Sequence, residues 1–299
     1  MLKSILLRIL APALALCIYY SVLYGSSTGF KIFSPEPQAT MLTEDDSRKL
    51  LKSIEELHRQ GQSEKALQLL SELRAVYPQN HIYIRQTADL YHQLGRYKDE
   101  AAAWEDFMKV APLPVEGCPQ IGIAYQKSGQ AEQSILAFHR CVGTDSQNLD
   151  FAFYLAHAYE LTRQLDKAAE IYQEAILKDG GNMDLRVGLA RVRMHQSKNS
   201  QAIEMAAAVL KQSPENVDAM LVMGLSLWRQ GDLSQARKYL EKGIVLASQY
   251  TDFYVALGQI SEQEHQNAKA KEAYVQALKL EPNNHEVAQK LQALQGGVH

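Results

Sequence analysis

A step of 34 residues recurs along most of this chain, and few folds can accommodate it. Tyr91, Tyr125 and Tyr159 lie 34 apart, and Phe138 and Tyr172 repeat the interval, with Tyr274 three periods further on. Ala168, Ala202, Ala236 and Ala270 form a ladder at the same step, and Ala66 stands three periods before it. Gly61, Gly95 and Gly129 share one phase, which Gly231 rejoins. Pro78, Pro112, Pro214 and Pro282 share another, and Asp150, Asp184, Asp218 and Asp252 a fourth. Seven periods run from Ser47 to Asn284 without an insertion or deletion. A fixed period of this length marks units that cannot bury their own apolar face and must stack on neighbours to build one continuous core.

Each ladder has a physical reading as part of a helix–turn–helix. Glycine closes the first helix with a left-handed residue. Tyr or Leu on the first helix meets Ala and an aromatic residue on the second, and the Ala is small because the two helices approach most closely there. Proline near the end stops the second helix. Aspartate at the next start sits in a first turn, where the helix dipole favours negative charge. Arg163, Ser197 and His265 replace the turn glycine, so those turns are expected to be strained or differently shaped. Glu100 stands where the seam alanine of the second repeat belongs, with Ala101 beside it. Residues 285–295 form one more amphipathic helix, expected to cover the open face of the last repeat.

The ladders resemble the tetratricopeptide repeat over about four-fifths of the chain. The third repeat carries Ile121-Gly122, Tyr125, Gly129 and Phe138, and the last carries Leu257-Gly258, Ala270, Tyr274, Ala277 and Pro282. The Trp that family members often hold on the first helix is absent. The resemblance implies an all-α fold: a right-handed superhelical solenoid of seven helix–turn–helix repeats over residues 47–284, with a capping helix and tail at 285–299. It also implies an inner groove, walled by the first helices, that binds an extended or helical peptide. Some members hold chaperone C-termini with a clamp of Lys, Asn and Arg. Here Leu51, Glu55, Arg85 and Asp89 occupy the opening clamp phases, so a cytosolic co-chaperone is not expected.

Read by phase, the groove candidates are Ile123, Phe153, His157, Val187, Arg191, Met194, His195, Leu221, Leu225, Trp228, Arg229 and Val255. An apolar strip with a Trp on a surface that should be wet suggests a partner. The rival reading has these residues touching the next repeat's helices. Glu55, Asp89, Arg85 and His92 face the groove in the first two repeats, and Arg191, His195 and Arg229 further on. That pattern suggests a ligand with apolar residues and an acidic group or C-terminal carboxylate near repeats five and six.

Residues 1–25 read as a transmembrane anchor. Ile9–Gly25 contains no charge, Lys3 and Arg8 precede it, and Tyr19, Tyr20 and Tyr24 lie toward its far end. A cleaved signal peptide is the rival, but the apolar run is longer than a usual signal core and no A-x-A-like site follows. The positive-inside rule leaves the N-terminus in the cytoplasm and the repeats outside, in a bacterium the periplasm. Residues 26–46 read as a linker.

The formal net charge of −3 and a pI near 6.3 argue against a nucleic-acid partner. No Gly-rich phosphate loop or G-x-S-x-G is present, and His285-Glu286 lacks the second His of a metalloprotease helix. The nine histidines show no ligand spacing, so no metal, cofactor, small-molecule substrate or catalytic residue is expected. Of the three cysteines, Cys118 lies early in one helix and Cys141 late in the antiparallel one that follows, so the pair could form a disulfide. The function expected is a membrane-anchored scaffold that assembles or stabilises a cell-envelope complex (secretion, pilus, polysaccharide export or cytochrome c maturation). The alternatives are a chaperone-like holder of an extended client and, more remotely, an enzyme subunit.

Overall fold

A computed structural model describes residues 43–111 and 114–296. The anchor proposed for residues 1–25 and most of the 26–46 linker lie outside the described residues. Among those described there are fifteen α-helices, one short 3-10 helix and no strand. None of these helices is long and apolar enough to cross a membrane.

The helices come in pairs. They are α1 (Glu44–Arg59) and α2 (Ser63–Val76), then α3 (His81–Gln93) and α4 (Tyr97–Val110). A 3-10 turn (Pro114–Gly117) leads into α5 (Cys118–Lys127) and α6 (Ala131–Thr144). Next are α7 (Leu149–Leu161) and α8 (Leu165–Lys178), then α9 (Met183–His195) and α10 (Asn199–Gln212). The last pairs are α11 (Val217–Arg229) with α12 (Leu233–Leu246), and α13 (Thr251–Gln263) with α14 (Asn267–Leu280). A single helix, α15 (His285–Gly296), packs on α14. The first helix begins at Glu44, three residues before the Ser47 expected, because Thr43 caps it by accepting from the Asp46 amide.

The chain divides into two compact units, Met1–Ala137 and Phe138–His299. In the first unit, Leu50, Ile54, Leu70 and Tyr83 fill one core cluster, and Ile84, Trp104, Phe107 and Ile121 fill another. In the second, three clusters follow one another. Val187, Met194, Val209 and Met223 build the first, Met220, Leu240, Phe253 and Ile260 the second, and Tyr274, Ala277 and Val287 the third.

The seam works as its ladder suggests. Ala66, Ala168, Ala202, Ala236 and Ala270 are wholly buried. One helix face must also give way to the large residue on the other. A Cβ at Gly258 would sit 2.4 Å from the Tyr274 ring, and one at Gly224 would sit 2.7 Å from Leu240. Glu100 occupies the alanine position in α4 and is buried too. It is tolerated because His92 Nδ1 lies 3.0 Å from each of its carboxylate oxygens.

Of strain and altered shape at the three non-glycine turns, the backbone shows the first. Arg163, Ser197 and His265 do not change the turn's shape. Their φ values of 62°, 62° and 57° fall beside the 69° to 88° of Gly95, Gly61, Gly129 and Gly231. The same closing bonds recur at both kinds of turn. Gly61 N–H donates to His58 O and Gln62 N–H to Leu57 O, just as Ser197 N–H donates to Met194 O and Lys198 N–H to Arg193 O. The hairpin imposes the left-handed residue whatever side chain it carries.

A further ladder fixes the helix starts. Asn80, Asn148, Asn182, Asn216 and Asn284 each accept a backbone N–H of the following first turn. Pro114 takes that place in the third repeat, and there a 3-10 turn intervenes and α5 opens only at Cys118.

Ser197→Gly should therefore stabilise the chain by about 0.5–1 kcal/mol, the left-handed penalty of a side chain less the added freedom of an unfolded glycine. Gly129→Ala should lose a comparable amount. Urea unfolding of the full chain in detergent, followed by far-ultraviolet circular dichroism, checks both. Equal midpoints for Ser197→Gly and the parent would remove the strain from that turn.

Candidate inter-repeat groove of the second unit

Within the second unit, the first helices of successive repeats touch one another directly: α7 with α9, α9 with α11, and α11 with α13. Each second helix packs instead on the first helices of its own and the following repeat. The first helices thus form an inner row, and their 34-residue ladders become stripes across it. One stripe is Phe153, Val187, Leu221 and Val255, the next His157, Arg191, Leu225 and Gln259, and the third Glu160, Met194, Trp228 and Glu262.

The structure separates the candidates on these stripes. Val187 and Met194 are buried in the core cluster that holds Val209 and Met223, so they are not open to a ligand. Their stripe position points inward, but the neighbouring first helices close over them. Phe153, His157, Leu221, Leu225, Trp228 and Val255 are half-buried. Leu221, Leu225 and Trp228 back onto the cluster of Met220 and Phe253 with part of their surface free. In the first unit, Ile123 on α5 is also half-buried.

The polar candidates are engaged between repeats. Arg191 on α9 donates from Nε to Glu160 Oε1 at 2.7 Å and from Nη2 to Oε2 at 3.0 Å. His195 Nε2 approaches the same carboxylate at 3.4 Å. Trp228 Nε1 donates to Gln263 Oε1 at 2.8 Å, one repeat on. Arg229 Nη1 donates to the Met194 carbonyl at 2.8 Å, one repeat back. The expectation that Arg191 lends the wall a free positive charge is corrected here, because Glu160 neutralises it in a bidentate pair.

Glu160 is only 5 % exposed. Burial alone would raise its pKa, but hydrogen bonds from His195 and Arg191 outweigh burial and hold it below the ordinary carboxylate range. His157 stacks on Phe153 with ring centroids 6.2 Å apart and planes 6° apart. Burial first, and the Arg191 charge second, lower its pKa against the opposing pull of Glu160. Phe153 meets Tyr172 edge-on at 5.9 Å, and burial pushes the Tyr172 hydroxyl upward.

The inner face of the first unit carries its own charges. A cleft of about 260 Å³ lies over Ile54 and Leu90, lined by Glu55, His58 and Asp89. Arg85 reaches Asp89 at 4.0 Å and Glu116 at 3.9 Å, and burial raises Asp89. Cys118 and Cys141 are both buried. Among the described residues no group of three or more His, Cys, Asp or Glu could hold a metal ion.

Two residues central to this wall escaped the reading by phase, Glu160 and Arg163. Glu160 shares the phase of Trp228, so an acid on the same stripe as a half-buried Trp was the available signal. Nothing in the phase of Arg163 separates it from the other non-glycine turns.

Models of the tetratricopeptide repeat match residues 52–106, 120–182, 187–251 and 251–284, well over half the chain. Among curated proteins, the chain is similar to BBSome complex member BBS4 of Bos taurus, with 24 % identity over 177 residues. The match takes in 59 % of this chain and 34 % of that protein, so the chain spans about a third of its relative's length. Among solved structures, a tetratricopeptide repeat protein from Parabacteroides merdae superposes with a TM-score of 0.73 at 12 % identity, covering 83 % of this chain and 98 % of that one. The Cut9–Hcn1 hetero-tetramer structure matches with a TM-score of 0.61 at 14 % identity, covering 81 % and 48 %. Likeness at this identity concerns the fold.

The buried pair should govern acid stability. Glu160, held low, stabilises the folded chain above its unfolded pKa of about 4.3, and that contribution disappears as pH falls through its folded value. His157 resists protonation when folded, so stability also falls as pH drops below about 6.5. Glu160→Gln should cost on the order of 3 kcal/mol at pH 7, with the gap to the parent narrowing below about pH 4. His157→Asn should lose less stability than the parent between about pH 7 and 5. Urea midpoints across pH decide both; parallel curves for parent and variants would sink the account.

Proposed function

This chain belongs to the tetratricopeptide repeat family, and we propose that it is a membrane-anchored scaffold that assembles or stabilises a complex of the bacterial cell envelope. Proteins with this repeat are typically protein-binding scaffolds. In the proposal the partner lies along the inner row of the second unit, on Leu221, Leu225, Trp228 and Val255. The observation that carries it is the half-exposed state of these side chains. A leucine–tryptophan strip left partly wet gains free energy when a partner covers it, about 25 cal/mol per Å² of apolar area. Aromatic anchors of this kind dominate binding where they occur.

The anchor rests on the sequence. Ile9–Gly25 is free of charge, and Lys3 and Arg8 stand on the side that the positive-inside rule keeps in the cytoplasm. The repeats would then face the periplasm. A tether raises the effective concentration of the wall near membrane-bound partners without adding a contact. An oxidising compartment also suits a bridge between Cys118 and Cys141, which we include in the proposal.

Leu225→Asp and Trp228→Ala should each reduce recovery of the specific partners obtained when the tagged full chain is purified from native membranes. Recovery unchanged by both variants would remove the wall from the function. Alkaline carbonate should leave the full chain in the membrane pellet, and release into the supernatant would argue against the anchor. Peptide mapping without reductant should find Cys118 linked to Cys141. Alkylation of both thiols in unreduced, unfolded chain would eliminate the bridge.

A further inference from the structure

We propose that Phe153 and Tyr154, with Asp150 and Asp184 at their rim, form a cation subsite on the inner row. Its ligand is the guanidinium of an arginine side chain on the partner, laid against the two rings and bonded to the two carboxylates. The inference deepens the reading of the inner row as the binding wall, and it rests on different residues.

A cleft of about 210 Å³ opens near the starts of α7 and α9. Asp150, Phe153 and Tyr154 line it from α7, and Asp184 and Leu185 from α9. The two rings meet at 75° with centroids 5.9 Å apart, so they make adjoining walls. Both are held in place from behind. Phe138 stacks on Tyr154 at 5.5 Å and 12°. Phe153 is stacked on His157 and met edge-on by Tyr172.

The two rings are half-buried and the two carboxylates exposed. Aromatic faces attract a cation through their quadrupole, and a carboxylate beside them adds a charge-assisted bond. Neither Asp150 nor Asp184 has an ion pair among the described residues. The basic side chains of this wall do not supply the missing charge. Arg191 is committed to Glu160 through both oxygens. His157 is held below the ordinary imidazole range by burial first and the Arg191 charge second, so it meets Phe153 as a neutral ring at pH 7.

An aspartate in a first turn answers the helix dipole and by itself marks nothing, since Asp218 and Asp252 repeat it on α11 and α13. What is particular to α7 is the pair of rings. Their places hold Val187 and Gly188 on α9, Leu221 and Val222 on α11, and Val255 and Ala256 on α13. At Gly188 the Tyr172 ring crosses 2.5 Å from where a Cβ would stand, so packing there asks for glycine. Tyr154 puts a ring at that same phase, and Phe138 lies flat against it instead of crossing. A ring placed where packing favours a small residue, half-exposed beside two acids, is a local departure of the kind that binding sites retain. Shape selects the cation. A guanidinium is planar, stacks on a ring face and forks toward carboxylates, whereas an ammonium is a compact, strongly hydrated point charge.

The test adds the full chain in detergent to Nα-acetylarginine methylamide and follows the ligand's δ-methylene protons by NMR. The citrulline analogue has the same shape without the charge and is the control; the lysine analogue is the competing cation. Ring currents of Phe153 and Tyr154 should move the arginine signal upfield saturably. The citrulline signal should not move, and lysine should bind several-fold more weakly. Asp184→Asn, with a urea midpoint matching the parent's, and Phe153→Leu should each weaken arginine binding on the order of tenfold. No saturable shift, binding undiminished by both variants, or citrulline or lysine bound as tightly as arginine would each overturn the proposal. Absent arginine binding while Leu225→Asp still abolishes partner recovery leaves the apolar wall standing without this subsite. Arginine binding while Leu225→Asp has no effect does the reverse.

Discussion

The close approach of the two helices within each repeat is the constraint on which the rest depends. Tyr274 lies so near the backbone of Gly258, and Leu240 so near that of Gly224, that a single added carbon has no place. Such contact requires the helices to be short, antiparallel and joined by a turn of one shape. The left-handed residue in that turn supplies the reversal, and the asparagine caps start each new first helix at a set point. A repeat of different length would push a large residue against another large one, and close-packed interiors do not absorb that. The period is thus the visible trace of a steric fit.

Much of the fold could be read from the chain because that fit uses residue types with few substitutes. A wholly buried seam needs Ala or Gly, and a left-handed turn favours Gly, so both leave ladders. Where the ladder breaks, tertiary context decides. Glu100 is accommodated in an alanine position because His92 reaches it, and Arg163, Ser197 and His265 take the glycine conformation because the hairpin leaves no other. The asparagine caps form a ladder of their own, and α5 starts late where Pro114 interrupts it. Capping is a local rule that needs no tertiary knowledge.

The candidate site was less legible, for a geometric reason. Phase analysis groups residues 34 apart, but the bonds that shape the inner row join residues at other separations. Arg191 pairs with Glu160 across 31 residues, Arg163 meets His195 across 32, and Trp228 meets Gln263 across 35. Each bond crosses from one stripe to another, so no ladder displays it. A stripe taken by itself therefore shows Arg191 as a charge without its Glu160 partner. Burial fails the same way, since Val187 and Met194 share stripes with half-exposed neighbours and are closed over by adjoining helices.

Those cross-stripe bonds also determine what kind of surface the inner row offers. A buried ion pair such as Glu160–Arg191 adds little net stability over a well-packed apolar pair, since desolvation consumes most of the attraction. It does penalise any displacement that separates its partners. Arg191, Trp228 and Arg229 each fasten a first helix to its neighbour, so the spacing between these helices is set before any partner arrives. Preorganisation lowers the ordering cost of binding. It also divides the wall by chemistry. Charge is balanced around Glu160, and an apolar strip runs past Leu225 to Val255. A flexible wall would blur that order, and the struts between repeats preserve it.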